Sequence, residues 1–305
     1  MHGSYASNMA VGECDLLFSI GTRFNDRITG KLHAFAPNAQ IVHIDIDTAS
    51  ISRNIKVDVP IVADAKEAIE KLLEYVEPGD NAAWLERIGE WKQEHPLKMK
   101  PKYGVMQAQD IIETINEVFK EDDTIVVTDV GQHQMFTSQY LEVNEKTRMY
   151  MSGGLGTMGY GLGAAIGAKV GNKDKTVINI AGDGCFRMNM IELMTAARNK
   201  LPIIEIVIDN RVLGNVRQWQ TLFYGKRYSN TVLDDGADFI KIAEGMGAKA
   251  KLITTKEEFD KAIDEALNEK DTPIVLDCMI DPDDKVWPMV APGAPINENL
   301  NENDY

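Results

Sequence analysis

Ile180-Ala-Gly-Asp-Gly-Cys185 and, further along, Ile208-Asp-Asn210 are the stretches on which the fold turns. Each closes a short apolar run, 176–180 and 203–208, of the kind that forms a strand buried on both faces. A helical stretch, 189–199, lies between them. Strand, helix, strand in that order predicts a right-handed crossover whose two parallel strands end at the same sheet edge. Ligand sites in open α/β sheets form at that edge, so Asp183 and Asn210 are brought together although distant in sequence. The residue types suit Mg²⁺, which takes six oxygen ligands and usually only one or two carboxylates, with phosphate oxygens among the rest. Asp183 offers a carboxylate, Asn210 an amide oxygen and Val212 a backbone carbonyl. Gly182 and Gly184 allow close backbone approach, and the following helix offers free N–H groups to an anion. Taken alone, Gly-Asp-Gly also reads as ordinary turn chemistry.

Working outward, helix and strand alternate from Tyr103 on. Helices are expected at 105–119, 156–169, 189–199, 237–246 and 256–268, and strands at 124–128, 176–180, 203–208, 249–252 and 274–279. That alternation predicts a doubly wound, mostly parallel α/β sheet. A second unit of the same class precedes it, with strands at 14–20 and 41–46, a short one at Ile61-Val62, and a helix at 65–75. Glu77-Pro-Gly-Asp80 is a breaker cluster. One helical stretch (Trp84, Leu85, Ile88, Trp91) follows, then Lys98, Lys100 and Lys102, which read as a solvated basic face. The last residues, rich in Pro, Gly and Asn, read as a wrapping or fraying tail.

The 305 residues suit about two domains of ~150 residues. With 47 acidic and 32 basic residues the net charge is −15, which disfavours binding to nucleic acid or an anionic membrane. No apolar run approaches the ~18 residues of a membrane span. Met1-His2-Gly3-Ser4-Tyr5 has no signal-peptide pattern. Cys14, Cys185 and Cys278 form no CxxC pair, which fits a reducing, cytoplasmic setting.

The interval from Gly182-Asp183-Gly184 to Asp209-Asn210 matches the thiamine-diphosphate motif. Gly131-Gln-His-Gln-Met135, Ser152 through Gly161, Val216 through Tyr224, Trp287 through Gly293 and Gly21 through Gly30 narrow the family. Over essentially its whole length the chain resembles the large catalytic subunit of acetolactate synthase (acetohydroxyacid synthase). The resemblance implies decarboxylation of pyruvate on thiamine diphosphate and carboligation to a second 2-keto acid, pyruvate or 2-ketobutyrate, in branched-chain amino-acid synthesis. It implies Mg²⁺ on Asp183, Asn210 and Val212, and diphosphate contacts from Gly131, Gln132, His133, Gly182, Gly184 and Cys185. Met158 matches the residue that wedges the cofactor into a V, the Gly156 carbonyl would face its amino group, and Trp219 would line the acceptor channel. In the first unit Gly21, Arg23, Arg27, Asp45, Asp64 and Ala65 match positions that contact FAD. Arg23 and Arg27 would share a face if that stretch were helical. Cys185 stands where the family usually has Ser or Ala, and Asn215 and Gly163 also depart from its pattern.

On this reading residues 1–78 are a truncated central FAD-type domain, 79–103 a linker, 104–285 the thiamine-diphosphate and Mg²⁺ domain, and 286–305 a tail. The family's pyrimidine-binding domain and its activating glutamate are expected to be absent. The chain alone would then bind cofactor weakly and lack activity. A homodimer or higher oligomer sharing its active sites, and a small regulatory subunit, are expected from the family only. The alternatives are another thiamine-diphosphate decarboxylase or oxidase, or a non-catalytic binding module.

Overall fold

The computed structural model describes residues 1–233 and 236–304. Two compact units are present, Met1–Lys98 with Trp287–Tyr305, and Met99–Val286. The helical part of the expected linker and nearly all of the expected tail therefore fall in the first unit.

In the first unit, α1 (Tyr5–Glu13) precedes β1 (Leu16–Ile20), α2 (Asp26–Thr29), β2 (Gln40–Asp45), β3 (Val59–Val62), α3 (Ala65–Leu72) and α4 (Ala82–Glu94). The three strands form a parallel sheet in the order β1-β2-β3. α4 packs on α1 and buries Trp91, with the Arg87 guanidinium 4.8 Å above its ring. The C-terminal segment adds a short antiparallel pair, Met289–Val290 with Asn299–Leu300. It is tied in where the Val290 N–H donates to the Met1 carbonyl (2.8 Å).

The second unit opens with α5 (Ala108–Val118) and β4 (Thr124–Thr128), then α6 (Gln132–Tyr140), β5 (Thr147–Met151) and α7 (Gly161–Gly171). β6 (Thr176–Gly182), α8 (Asp183–Asn189), α9 (Leu193–Arg198), β7 (Ile204–Asp209) and α10 (Gly214–Phe223) follow. It closes with α11 (Phe239–Gly245), β8 (Lys249–Ile253), α12 (Lys256–Leu267) and β9 (Ile274–Met279). The six strands are all parallel, in the order β5-β4-β6-β7-β9-β8.

Side-chain alternation divides the core between the two faces of this sheet. Val126, Ile178, Ile206 and Leu276 meet Ile111, Ile115, Phe259 and Ile263 from α5 and α12. The intervening Val177, Val207 and Val275 face the other way, toward α7, α9 and α11. Strands β4 and β7 are buried throughout and β6 from Val177 on, as continuous apolar runs covered on both faces should be. The edge strand β8 carries Lys249 and Lys251, paired with Glu269 and Glu265, charges that blunt an exposed edge.

Several elements differ from expectation. β5 and α6 were not legible: Thr-Arg-Met-Tyr-Met is largely exposed, and Gln132–Tyr140 lacks a clear apolar stripe. The helix expected at 156–169 starts only at Gly161, because Gly156 and Gly159 hold left-handed φ values of +62° and +84°. The stretch expected as a helix at 189–199 is a 3₁₀ turn, Met190–Glu192, followed by α9, and α8 precedes it, starting already at Asp183. Lys102 is no solvated charge: its ammonium bridges Asp281 (2.6 Å) and the buried Asp284 (2.5 Å).

Candidate functional site

Strand order locates the site. β4 connects outward to β5, the chain then returns across to β6, and from there it continues the other way to β7. The connections thus diverge between β4 and β6, which makes this gap the topological switch point where open α/β sheets hold ligands. A cavity of about 290 Å³ lies there.

Its walls come from four junctions. The β4–α6 turn supplies Gly131, Gln132 and His133, and the loop before α7 supplies Gly156 and Met158. The β6–α8 junction supplies Gly182, Asp183, Gly184 and Cys185, and the loop after β7 supplies Asn210 and Val212. All eleven residues singled out from the sequence of this unit, apart from Trp219, therefore line one cavity. Trp219 does not line it: it sits on α10, half-buried, its ring edge-on to Phe223 with centroids 5.8 Å apart. Three helices, α6, α8 and α10, begin at the cavity wall with Gln132, Asp183 and Gly214. The first N–H groups of a helix have no acceptor within it.

The carboxylate of Asp183 is buried, and its Oδ2 has no hydrogen-bond partner among the described residues. Burial, and then the neighbouring Asp209 carboxylate, push its pKa up. Both effects penalise a bare negative charge there, and a bound cation would offset both. Asn210 is held in place from two sides. Its Oδ1 accepts from the Val212 N–H (3.1 Å), and its Nδ2 reaches Gln132 Oε1 (3.4 Å). Gln132 Nε2 in turn donates to Gln218 Oε1 (2.8 Å) and to the Asp284 carbonyl (3.1 Å).

His133 packs its ring against backbone. A Cβ on Gly131 would lie 2.7 Å from its Cε1, and one on Gly182 would lie 2.7 Å from its Nδ1, so only glycine fits at either place. Burial lowers the His133 pKa against the opposing pull of Asp129, which keeps the ring neutral near pH 7. Burial also pushes the Cys185 thiol up to about 12, and its Sγ–H donates to the Val130 carbonyl (3.0 Å).

Asp129 was missed, although it directly follows the fully buried β4. Its carboxylate accepts from the N–H groups of Val130 (2.8 Å), Gly159 (2.9 Å) and Gly161 (2.9 Å). It thereby pins the Met158 loop beside the switch point. Gln218 was also missed as the group that orients Gln132, because nothing local marks it. The remaining wall is apolar, with Phe136, Ile208, Leu213, Val216 and Ile280. A second cavity, of about 570 Å³, is lined in part by Arg187, Asp209, Arg211, Asp238, Lys241 and Asp277, of which only Asp209 belongs to a motif read from the sequence.

In the first unit, Gly21, Asp45 and Asp64 stand at or just beyond the C-terminal ends of the three parallel strands, on one edge. Asp64 is the N-cap of α3, its Oδ1 accepting from the Lys66 N–H (2.8 Å), and Ala65 opens that helix. Asp45 Oδ1 accepts from the Asp47 N–H (2.8 Å). Arg23 and Arg27 do not share a helical face. The helix begins at Asp26, after Phe24 has turned through φ +47°, so Arg23 lies outside it. Arg27 is exposed and lies 3.6 Å from Asp26.

Residues 129–278 match the family model of the thiamine pyrophosphate enzyme C-terminal TPP binding domain, and residues 1–72 that of the thiamine pyrophosphate enzyme central domain. The chain belongs to the thiamine pyrophosphate enzymes. Within them it is homologous to acetolactate synthase large subunits. It is 44% identical over 300 residues to that of Porphyra purpurea, with 96% of this chain and 50% of the relative aligned. The probable acetolactate synthase large subunit of Methanocaldococcus jannaschii is 44% identical over 302 residues (96% and 51%). The isozyme 2 large subunit of Escherichia coli K12 is 40% identical over 300 residues (98% and 54%). The chain spans about half the length of the curated relatives it matches.

Proposed function

We propose that this chain carries the diphosphate- and Mg²⁺-binding part of an acetolactate synthase large subunit. The whole protein would decarboxylate pyruvate and join the two-carbon unit to a second pyruvate or to 2-ketobutyrate, for branched-chain amino-acid synthesis. The observation that carries this reading is the unpartnered Asp183 Oδ2, buried beside Asn210 and Val212 at the switch point. That donor set is all oxygen, with one carboxylate, which suits Mg²⁺ shared with a diphosphate. The three helix starts supply N–H donors for the anion.

Asp183, Asn210 and the Val212 carbonyl would hold Mg²⁺. Gly131, Gln132, His133, Gly182, Gly184 and Cys185 would receive the diphosphate. Met158 would support the rings of the cofactor, and the Gly156 carbonyl would accept from its amino group. When bound, thiamine diphosphate supplies the electron sink for decarboxylating a 2-keto acid. The apolar wall from Phe136 to Ile280 excludes water from the reacting groups. Trp219, on the helix that also carries the cavity-lining Val216, would contact the acceptor substrate beyond the cavity.

FAD is proposed for the strand-end edge of the first unit, on Gly21, Arg23, Arg27, Asp45, Asp64 and Ala65. The support is the set of strand-end positions on one sheet edge, with the exposed Arg23 and Arg27 in the chain that follows β1; arginines pair with diphosphates bidentately. A homo-oligomer with shared active sites, a small regulatory subunit and a cytoplasmic location complete the proposal. The name "large subunit" of the relatives supports a smaller partner. No helix among the described residues is long and apolar enough to cross a membrane.

Calorimetric titration of the chain with thiamine diphosphate tests the site. Binding is expected only with Mg²⁺ present, and binding unchanged by a chelator would refute the metal assignment. For the whole gene product, acetolactate is the expected product from pyruvate, and acetaldehyde alone would refute the carboligase reading.

A further inference from the structure

We propose that Asp129, His133 and Cys185 form a second metal site, for a thiophilic divalent ion of the zinc class. It shares no residue with the oxygen set of Asp183, Asn210 and Val212. A carboxylate oxygen, a ring nitrogen and the Sγ of these three buried residues all lie within 4.8 Å of one another. They are the one such trio of metal-binding side chains found among the described residues. Zinc holds such ligands tetrahedrally at about 2.0–2.3 Å, which places neighbouring ligand atoms roughly 3.3–3.8 Å apart. Closing the trio onto an ion therefore needs shifts of about 1 Å, within the reach of side-chain torsions.

Each group has capacity to spare. Asp129 spends three acceptor directions on the N–H groups of Val130, Gly159 and Gly161, and a carboxylate has about four. His133 is buried, and its Nε2 has no hydrogen-bond partner among the described residues. A buried neutral imidazole nitrogen without a partner is costly unless something binds it. Cys185 donates to the Val130 carbonyl (3.0 Å), with the Asp129 carboxylate beside it. On coordination the thiol would release that proton to solvent and bind as thiolate. His133 and Cys185 also line the cavity, so a water can complete the fourth position.

Donor chemistry separates the two sites. Sulfur, nitrogen and one oxygen favour zinc-class ions, whereas an all-oxygen set favours Mg²⁺. The inference does not rest on the proposed function: it needs only these three side chains and concerns the cofactor-free chain, since His133 and Cys185 also line the cavity proposed for the diphosphate.

The test is a Cd²⁺ titration of the whole 305-residue chain in excess Mg²⁺, without thiamine diphosphate, followed by the cadmium–thiolate charge-transfer band in the ultraviolet. One equivalent of Cd²⁺ is expected to develop the band, and Zn²⁺ to displace it. Cys185→Ser is expected to abolish it, while Cys14→Ser, which changes the half-buried thiol of the other unit, retains it. His133→Gln is expected to keep the band but weaken Cd²⁺ binding at least about tenfold, as loss of a ligand should. Circular dichroism of each variant confirms that it is folded. A folded wild-type chain without the band, a band that survives Cys185→Ser, or unchanged affinity in His133→Gln would overturn the proposal.

Discussion

Glu205 offers a quantitative test of how the central sheet is built. It lies in the middle of β7, fully buried, and both of its carboxylate oxygens accept from Asn179 Nδ2 (2.8 Å each). Among the described residues it forms no ion pair. Burial raises its pKa from the ordinary 4.5 to about 8, the Asn179 hydrogen bond opposing and Asp129 adding a smaller push. Between those two values the folded chain holds a proton that the unfolded chain has released. Stability therefore falls as pH rises through this window, and the whole loss is present above about 8. At about 1.4 kcal/mol per unit, the window from 4.5 to about 8 corresponds to a ceiling of roughly 5 kcal/mol.

Glu205→Gln removes the titration and keeps the shape. The new amide can donate to Asn179 Oδ1, which is buried without a partner among the described residues, and can still accept from Asn179 Nδ2. Urea unfolding of both chains at about pH 5.5, 7 and 8.5 reads the effect. The stability of the variant relative to wild type should rise by about 3 kcal/mol between about pH 5.5 and 8.5. Because only the difference between the chains is used, other titrating groups such as Asp277 cancel. Parallel pH profiles for the two chains would show that Glu205 titrates near its ordinary value, and that the burial argument is wrong.

Other substitutions probe the site and its supports. Asp183→Asn should abolish the Mg²⁺ dependence of thiamine-diphosphate binding in calorimetry, while relief of like-charge burial beside Asp209 leaves the apo chain at least as resistant to urea. Gly159→Ala forces a side chain to φ +84°, with its Cβ 3.0 Å from Met188 Cβ, and should cost about 1–3 kcal/mol in urea unfolding. Lys102→Met strands the buried Asp284 carboxylate, and should cost about 1–3 kcal/mol at neutral pH in the same assay, with the loss shrinking as acid neutralises the carboxylates. Met158→Ala empties part of the cavity wall and should weaken thiamine-diphosphate binding by about tenfold, one methionine's share of apolar contact.

Local pattern determined much of this protein. Continuous apolar runs marked the central strands because a strand covered on both faces has no polar side, and β4 and β9 match their expected ranges. The Gly-Asp-Gly turn and the distant Asn210 were legible because strand–helix–strand geometry returns both strand ends to one edge. Charges and exposed edges were harder to read. β5 carries no apolar run because it is an edge strand, and α6 carries no apolar stripe because its first turn serves the cavity rather than the core. Without β5 the reversal of strand order is invisible, and that reversal is what locates the cavity between β4 and β6. Only the tertiary structure showed that Asp129 pins the Met158 loop, that Gln218 orients Gln132, and that Trp219 stands outside the cavity. It alone brought Asp129, His133 and Cys185 within reach of one ion, because the first two follow β4 and Cys185 follows β6, and only parallel pairing of those strands makes them neighbours.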